Sequence, residues 1–309
     1  MREMVMPALA GHWWEGRLRI IAGPTSTALS RRVAELLHLR IVDVVQKTFP
    51  DGESYVRLAA PVGGDEAMII QTLSRPQDTS IIQLLQIISA AKRYGATKVI
   101  AVVPYFAYAR QDKSFLEGEA VTCMLLSNLI EVAGAQSFLT VEAHSCDSMS
   151  YFTIPTKNIG AAPIISEKLR EMGLEGASVI APDQGALERT RSLANFLCGE
   201  SFSVKKQRDR VTGKVTVTES DFDVSGKNVV IFDDIISTGG TVIETIKAVR
   251  KQNPARLVVA CVHALLVGDA FERILEAGAE RIVSTDTLPS KADTVSVAPL
   301  IAEELSRSA

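Results

Sequence analysis

The chain has 309 residues, and 33 Lys and Arg against 36 Asp and Glu give a formal net charge of −3. At about 150 residues per domain this length suggests two domains, and 47% hydrophobic with 22% charged residues excludes a disordered, collagenous or coiled-coil chain. A near-neutral chain is not a nucleic-acid binder by bulk charge, and no apolar run reaches the roughly 18 residues of a membrane span, so neither nucleic acid nor membrane is an expected partner.

Residues 1–16 hold Trp13 and Trp14 and read as an N-terminal extension, with too short an apolar run for a secretory signal. Short β-branched runs then alternate with helical patterns. Strands are expected at 18–22, 40–45, 68–72, 98–103 and 137–142, then at 178–181, 228–232, 256–261 and 281–284. Helices are expected over 25–37, 79–94, 119–132, 240–251 and 269–276. Continuous apolar strands separated by helices mean parallel sheets covered on both faces, so the fold class is α/β. The series runs twice, on either side of the turn-rich Ile154–Gly160. The expected division is an α/β domain over 17–157, a second over 158–293, and a C-terminal helix at 294–309 packing back on the first domain. Cys123, Cys146, Cys198 and Cys261 form no CxxC pair. They read as free, buried thiols in a reducing cytoplasm.

In sheets of this kind, ligands bind beyond the carboxyl ends of the strands. Residues 229–241 read VVIFDDIISTGGT. The apolar strand delivers Asp233 and Asp234 to its carboxyl end, and Ser237, Thr238, Gly239, Gly240 and Thr241 open the next helix. Small residues let backbone N–H groups approach an anion, the helix N-terminus favours negative charge, and the hydroxyls add donors. Two acids beside such a cradle suit sugar hydroxyls or a divalent metal. Together they describe a site for a phosphorylated sugar.

This string resembles the phosphoribosyl-diphosphate signature shared by phosphoribosyltransferases and by the ribose-phosphate diphosphokinase (PRPP synthase) family. Further segments resemble the second family. Phe49-Pro50-Asp51-Gly52-Glu53 is similar to its F-x-D-G-E loop, although by itself it reads as a β-turn. Arg110-Gln111-Asp112 is similar to its RQD segment, although by itself it reads as a solvated surface. The resemblance implies ATP binding by Phe49, Asp51, Gly52, Glu53, Arg110, Gln111 and Asp112, with the first loop reaching a neighbouring subunit. Glu142-Ala143-His144 resembles a D-x-H whose His binds ATP and magnesium. Residues 180–189, IAPDQGALER, resemble P-D-x-G-x-x-x-R, implying Asp183 as a metal ligand and Asp183, Gln184, Gly185 and Ala186 as a diphosphate-binding turn. Residues 204–214, VKKQRDRVTGK, read as a basic hairpin. The resemblance makes them a mobile flap with Lys206 and Arg208 as catalytic cations, Arg208 also meeting the ribose phosphate.

The resemblance covers residues 18 to 309 and implies two phosphoribosyltransferase-type domains, each a mainly parallel sheet flanked by helices. It implies transfer of the β,γ-diphosphate of ATP to the 1-hydroxyl of ribose 5-phosphate, with Mg2+ as cofactor and a homo-oligomer built on dimers. A non-catalytic regulatory relative and a phosphoribosyltransferase are the alternatives. Glu142 replaces Asp, Ala186 a second Gly and Ser237 an Asp, while Thr153 and Lys157 stand where acids are usual. These changes look more like the archaeal branch and count against a bacterial-type regulatory nucleotide site and hexamer. They remove none of the reacting groups.

Overall fold

The structure, a computed structural model, describes residues 18–204, 206–208, 215–217 and 222–307. The extension carrying Trp13 and Trp14 lies outside the described residues. The first half of the chain runs β1 (Leu18–Ala22), α1 (Thr27–Leu37), β2 (Arg40–Thr48), β3 (Ser54–Leu58), β4 (Glu66–Ile70), α2 (Gln77–Arg93), β5 (Lys98–Val103), α3 (Thr122–Ala133), β6 (Ser137–Val141) and β7 (Thr156–Ile159). These strands form one sheet in the order β3-β2-β1-β4-β5-β6-β7. All neighbours are parallel except β2 and β3, which form an antiparallel hairpin with 49–53 at its tip.

The second half runs α4 (Ala162–Glu171), β8 (Ser178–Ala181), α5 (Leu187–Leu197), β9 (Ser201–Ser203), the antiparallel pair β10 (Lys206–Arg208) and β11 (Val215–Val217), then β12 (Asn228–Ile236), α6 (Gly240–Arg250), β13 (Arg256–Ala264), α7 (Ala270–Glu276), β14 (Ile282–Thr285), β15 (Asp293–Val295) and α8 (Ala298–Arg307). Its sheet is wholly parallel, in the order β15-β14-β13-β12-β8-β9. Apart from the β3 hairpin strand, the two sheets share one strand order. Each reverses direction between its first and third strands, at β1/β4 and at β8/β12, and such a switch point opens a crevice beyond the strand ends.

The two sheets share a core. One apolar cluster joins Ile20, Met68, Val102 and Leu139 of the first to Val179, Val230, Val258 and Val283 of the second. It takes in Leu29 and Val33 of α1 and Ile301 and Leu305 of α8, so α8 lies against the first half of the chain. Lys157 pairs with Glu304 of α8 at 3.0 Å. Thr153 and the Ile154 N–H meet the Glu131 carboxylate. The two residues standing where acids were anticipated therefore serve packing.

At the first switch point the crevice is filled by the protein itself. The buried Gln71 accepts the Thr25 N–H, Ser26 accepts the Thr72 N–H at 2.8 Å, and Thr25 donates to the Thr72 carbonyl at 2.6 Å. A Cβ at Gly23 would meet Gln71 Oε1 at 2.2 Å, so only glycine leaves room for this plug.

Several expectations change. The anticipated break at 157/158 falls inside β7, an edge strand held to β6 by backbone pairing through Phe138 to Val141. β12 does not stop at 232: it continues to Ile236 because β13 extends alongside it, pairing Asp233 with Cys261 and Ile235 with His263. The acid pair therefore lies within the strand. α3 starts at Thr122 rather than 119, leaving 110–121 as a loop. Cys123 and Cys261 are buried, but Cys198 is exposed. It caps the carboxyl end of α5 in a left-handed conformation (φ 55°), while Leu193, Ala194 and Leu197 face the core.

Candidate active site

The second switch point is open. Beyond β8 and β12 lies a cleft of about 390 Å³. It is lined from the second sheet by Asp183, Gly185, Ala186, Arg189, Asp233, Asp234 and the run from Ile235 to Val242, and from the first half by Arg110 and His144. Two anion turns thus flank the switch point. In one, Asp183 accepts the Ala186 N–H at 3.2 Å and closes a single 3₁₀ turn ahead of α5. In the other, Gly239 takes φ +74° and α6 begins at Gly240 with no side-chain cap. An uncapped helix start presents N–H donors and the positive end of the helix dipole to an anion. A Cβ on Gly239 would meet Ile274 Cδ1 at 3.1 Å, whereas one on Gly240 meets nothing within 4 Å.

The acids differ because strand alternation turns them apart. Asp234 is 2% exposed; it accepts a hydrogen bond from His144 Nδ1 at 2.7 Å and meets the Arg189 guanidinium at 2.5 Å. Burial alone would raise its pKa. The bond from His144 and the charge of Arg189 outweigh that and hold Asp234 well below the ordinary carboxylate range. Asp233 is pushed up, first by burial and then by the neighbouring Asp234 charge. At neutral pH the pair therefore carries its negative charge mainly on Asp234, held between the His144 ring and the Arg189 guanidinium. Asp233, 3.9 Å from Arg189, is the member left for a ligand.

Arg189, the last residue of the 180–189 motif, joins the two halves of the chain. From α5 it reaches Asp234 and also donates to the His144 carbonyl at 2.9 Å. Its signal was its place in 180–189, six residues after Asp183 on the face of α5 that returns to the strand ends. Arg110 makes a longer contact, 3.5 Å, to the Ile235 carbonyl.

Glu142 does not act as the acid of the Glu142–His144 segment. Its carboxylate turns away from the cleft and accepts the Ala161 N–H at 2.8 Å, just ahead of α4. Burial pushes its pKa up. Gln184 donates to Ser203 and does not line the cleft. Gln111 accepts the Thr122 hydroxyl, and the carbonyl of buried Asp112 accepts the Tyr151 hydroxyl, so of the RQD segment only Arg110 lines the cleft. Phe49, Asp51, Gly52 and Glu53 form the anticipated turn, with the Phe49 N–H on the Glu53 carbonyl and the Glu53 N–H on Asp51. That turn is exposed at the hairpin tip and lines no part of the cleft. The side chains of Lys206 and Arg208 lie outside the described residues.

Among the described residues no group of three or more His, Cys, Asp or Glu is placed to hold a metal ion. Asp183 and His144 nevertheless line one cleft, and the Nδ1 bond to Asp234 leaves Nε2 as the ring nitrogen free for a ligand. Such a partial set fits magnesium, which keeps several waters and takes one or two protein ligands together with substrate phosphates. No helix among the described residues is long and apolar enough to cross a membrane.

Comparison with known proteins finds two family models along the chain. Residues 18–134 match the model of the N-terminal domain of ribose phosphate pyrophosphokinase, and 149–279 match the phosphoribosyl transferase domain. A ribose-phosphate pyrophosphokinase of Methanothermobacter thermautotrophicus is 40% identical over 285 residues, 92% of this chain and 98% of its own. One from Sulfurisphaera tokodaii is 36% identical over 290 residues, 93% of this chain and 99% of its own. The crystal structure of phosphoribosylpyrophosphate synthetase from Mycobacterium smegmatis superposes with a TM-score of 0.85 at 28% identity, covering 94% of this chain and 98% of that one.

Proposed function

Because the chain belongs to the ribose-phosphate pyrophosphokinase family, whose reaction moves the β,γ-diphosphate of ATP to the 1-hydroxyl of ribose 5-phosphate and releases AMP, we propose how its own residues divide that work. The 237–241 loop and the start of α6 hold the 5-phosphate, with the Ser237, Thr238 and Thr241 hydroxyls completing the cradle. Asp233 meets the ribose hydroxyls. Asp234 stays buried and positions His144 and Arg189 instead of touching the sugar. The turn Asp183–Ala186 holds the diphosphate growing at C1. Arg110, arriving from the first half, supplies a planar cation for the nucleotide. Lys206 and Arg208 close over the reacting phosphates, where a late-arriving cation acts mainly on the transition state.

Asp183, with His144, would hold Mg2+ beside the phosphates. When bound, the ion neutralises phosphate oxygens and helps align them. The protein contributes the alignment of two anion turns on one ribose, so that attack on the β-phosphorus is in line.

The observation that carries this reading is that both anion turns flank one switch point while Arg110 and His144 reach the same cleft from the other half of the chain. The hairpin tip at 49–53 lies outside that cleft, so it serves the cleft of a second copy in a homo-oligomer. The face beside it supports such packing: Ile82, Tyr94, Leu129 and Val132 are exposed on α2 and α3 and in the turn after α2. Phosphorus NMR of ATP, ribose 5-phosphate and magnesium should show AMP forming in step with a diphosphorylated ribose. Thr241→Val should then raise KM for ribose 5-phosphate alone and Arg110→Ala KM for ATP alone. Interchanged effects would overturn the assignment of the two sides.

A further inference from the structure

His263 is a histidine next to the carboxyl end of an apolar strand, 2% exposed, and nothing in the chemistry above uses it. Its partners fix its state. Nε2 lies 3.1 Å from the Val141 carbonyl and 3.2 Å from the Glu142 carbonyl. Carbonyls only accept, so Nε2 carries the proton. Nδ1, 2.8 Å from the Thr287 hydroxyl, is then the acceptor, and Thr287 donates to it. The Val262 carbonyl, which accepts Thr285 at 2.8 Å, is the other acceptor in reach of the Thr287 hydroxyl at 3.2 Å, and the shorter contact gives that proton to the ring. Burial keeps the ring neutral, with its pKa down to about 4, in agreement with that wiring.

The bonds cross between the two halves of the chain. His263 and Thr287 belong to the second; Val141 and Glu142 end β6 in the first. Thr72 of the first half donates to the Thr287 carbonyl at 2.6 Å and accepts the Tyr105 N–H at 3.1 Å, and the Tyr105 ring lies against the His263 ring with centroids 4.9 Å apart. What His263 grips is unusual backbone. Glu142 has φ +45°, a left-handed conformation that a residue with a Cβ adopts only when its surroundings impose it. Two residues later, His144 turns into the cleft to meet Asp234. At Glu142 and Ala143 the other bonds are local, Glu142 N–H to Ile159, Ala143 N–H to Asn158 and Glu142 to the Ala161 N–H, while His144 itself is also held from the second half by Arg189 on its carbonyl.

We propose that His263 is a positioning residue for the nucleotide side of the site. Through Nε2–H it ties the left-handed corner at Glu142 to β13, and so sets where His144 stands relative to Asp234 and Arg189. β13 is well placed to act as the reference, because it pairs directly with β12 beside the acid pair. The Leu266 and Val267 N–H groups just beyond it bond the Ile236 and Ser237 carbonyls at the base of the phosphate loop. One strand thus anchors both the sugar-phosphate loop and the His144 corner.

This rests on the reading of His144 as a nucleotide-side group, so the test carries a control. His263→Leu removes the donor and leaves two buried carbonyls unmet, whereas His263→Gln keeps an N–H near the Nε2 position. Losing one buried hydrogen-bond donor is expected to raise KM for ATP by about tenfold at saturating magnesium. KM for ribose 5-phosphate should change less than about twofold, and the Gln variant should recover most of the loss. Equal shifts in both KM values, no shift, or a Gln variant no better than Leu would overturn the proposal. If His263→Leu does not fold, Thr287→Val, which deletes the hydroxyl on Nδ1 at nearly constant volume, is read the same way, and unchanged KM values for ATP would overturn it. His144→Ala is measured alongside. If that variant leaves KM for ATP unchanged, the nucleotide-side reading itself fails and takes this proposal with it. If it raises KM and His263→Leu does not, only the positioning role is lost.

Discussion

Adjacent glycines in the phosphate loop should respond in opposite directions. Gly239 has φ +74° and its absent Cβ faces Ile274 Cδ1 at 3.1 Å; Gly240 is the first residue of α6, with no atom within 4 Å of its absent Cβ. Replacing either by Ala narrows the unfolded ensemble, which stabilises by about 0.4–1 kcal/mol. That gain is common to both variants, so their difference isolates what happens in the folded state. At 239 a side chain must sit in the left-handed region, at a cost of roughly 1–2 kcal/mol. Moving the flexible end of Ile274 by a few tenths of an ångström adds little. Urea unfolding should therefore place Gly239→Ala about 1–2 kcal/mol below Gly240→Ala, with Gly240→Ala at or above the parent chain. Kinetics should separate them too: a Cβ at 240 projects from a cleft-lining residue into space that the sugar phosphate needs, so KM for ribose 5-phosphate rises more than KM for ATP. Equal stability of the two variants, or a Gly239→Ala chain more stable than the parent, would refute the backbone argument. An unchanged KM at 240 would refute the placement of the phosphate.

Lys206→Ala should lower kcat by roughly 10²–10³ while KM for ribose 5-phosphate stays nearly constant, because a donor to transition-state charge contributes little to ground-state binding; a near-normal kcat would make 204–214 an ordinary basic hairpin. Asp234→Asn leaves one acceptor oxygen between His144 and Arg189 and removes the charge that raises Asp233. Asp233 should then ionise at lower pH, and the acid limb of the rate profile should move down; a profile at the parental position would falsify the sharing of charge between them. Stability should depend on His263 under mild acid. Its folded pKa is about 4 against about 6.5 unfolded, so between those values the unfolded chain takes up a proton that the folded chain refuses. Stability is full above about 6.5 and falls with acid by about 3 kcal/mol near pH 4. Urea midpoints at pH 7 and pH 4.5 should show His263→Gln losing less on acidification than the parent, and parallel losses would rule out a neutral buried ring.

Much of the fold is legible because its strands are written in Ile and Val. The runs at 18–22, 98–103 and 178–181 coincide with β1, β5 and β8. A strand buried on both faces can be built from little else. β7 was missed because Thr156–Ile159 is an edge strand whose polar residues need only backbone pairing. The end of β12 was misplaced because two aspartates look like a strand terminus, and only the length of β13 beside them keeps the ladder going. In the candidate site, the turns after β8 and β12 and Arg110, which line one cleft, stand out in the sequence because small residues and cations at strand ends suit phosphate chemistry. Arg189 and His263 do not. Each is a single polar residue in a helix or an apolar strand, and its role comes from partners more than 40 residues away that only the folded chain brings near.

The plug at the first switch point makes the two halves of the chain unequal. The two sheets share a strand order, and each could in principle open a phosphate crevice at its reversal. In the first half Gln71 fills the space that Gly23 vacates, while Thr25, Ser26 and Thr72 spend their hydrogen bonds on one another. The Thr25 and Thr72 N–H groups are thus taken within the plug, and Thr72 turns its hydroxyl outward to the Thr287 carbonyl across the seam. On the proposed function, the repeated architecture keeps its sugar-phosphate seat at the second switch point, while its filled counterpart carries contacts to the second half.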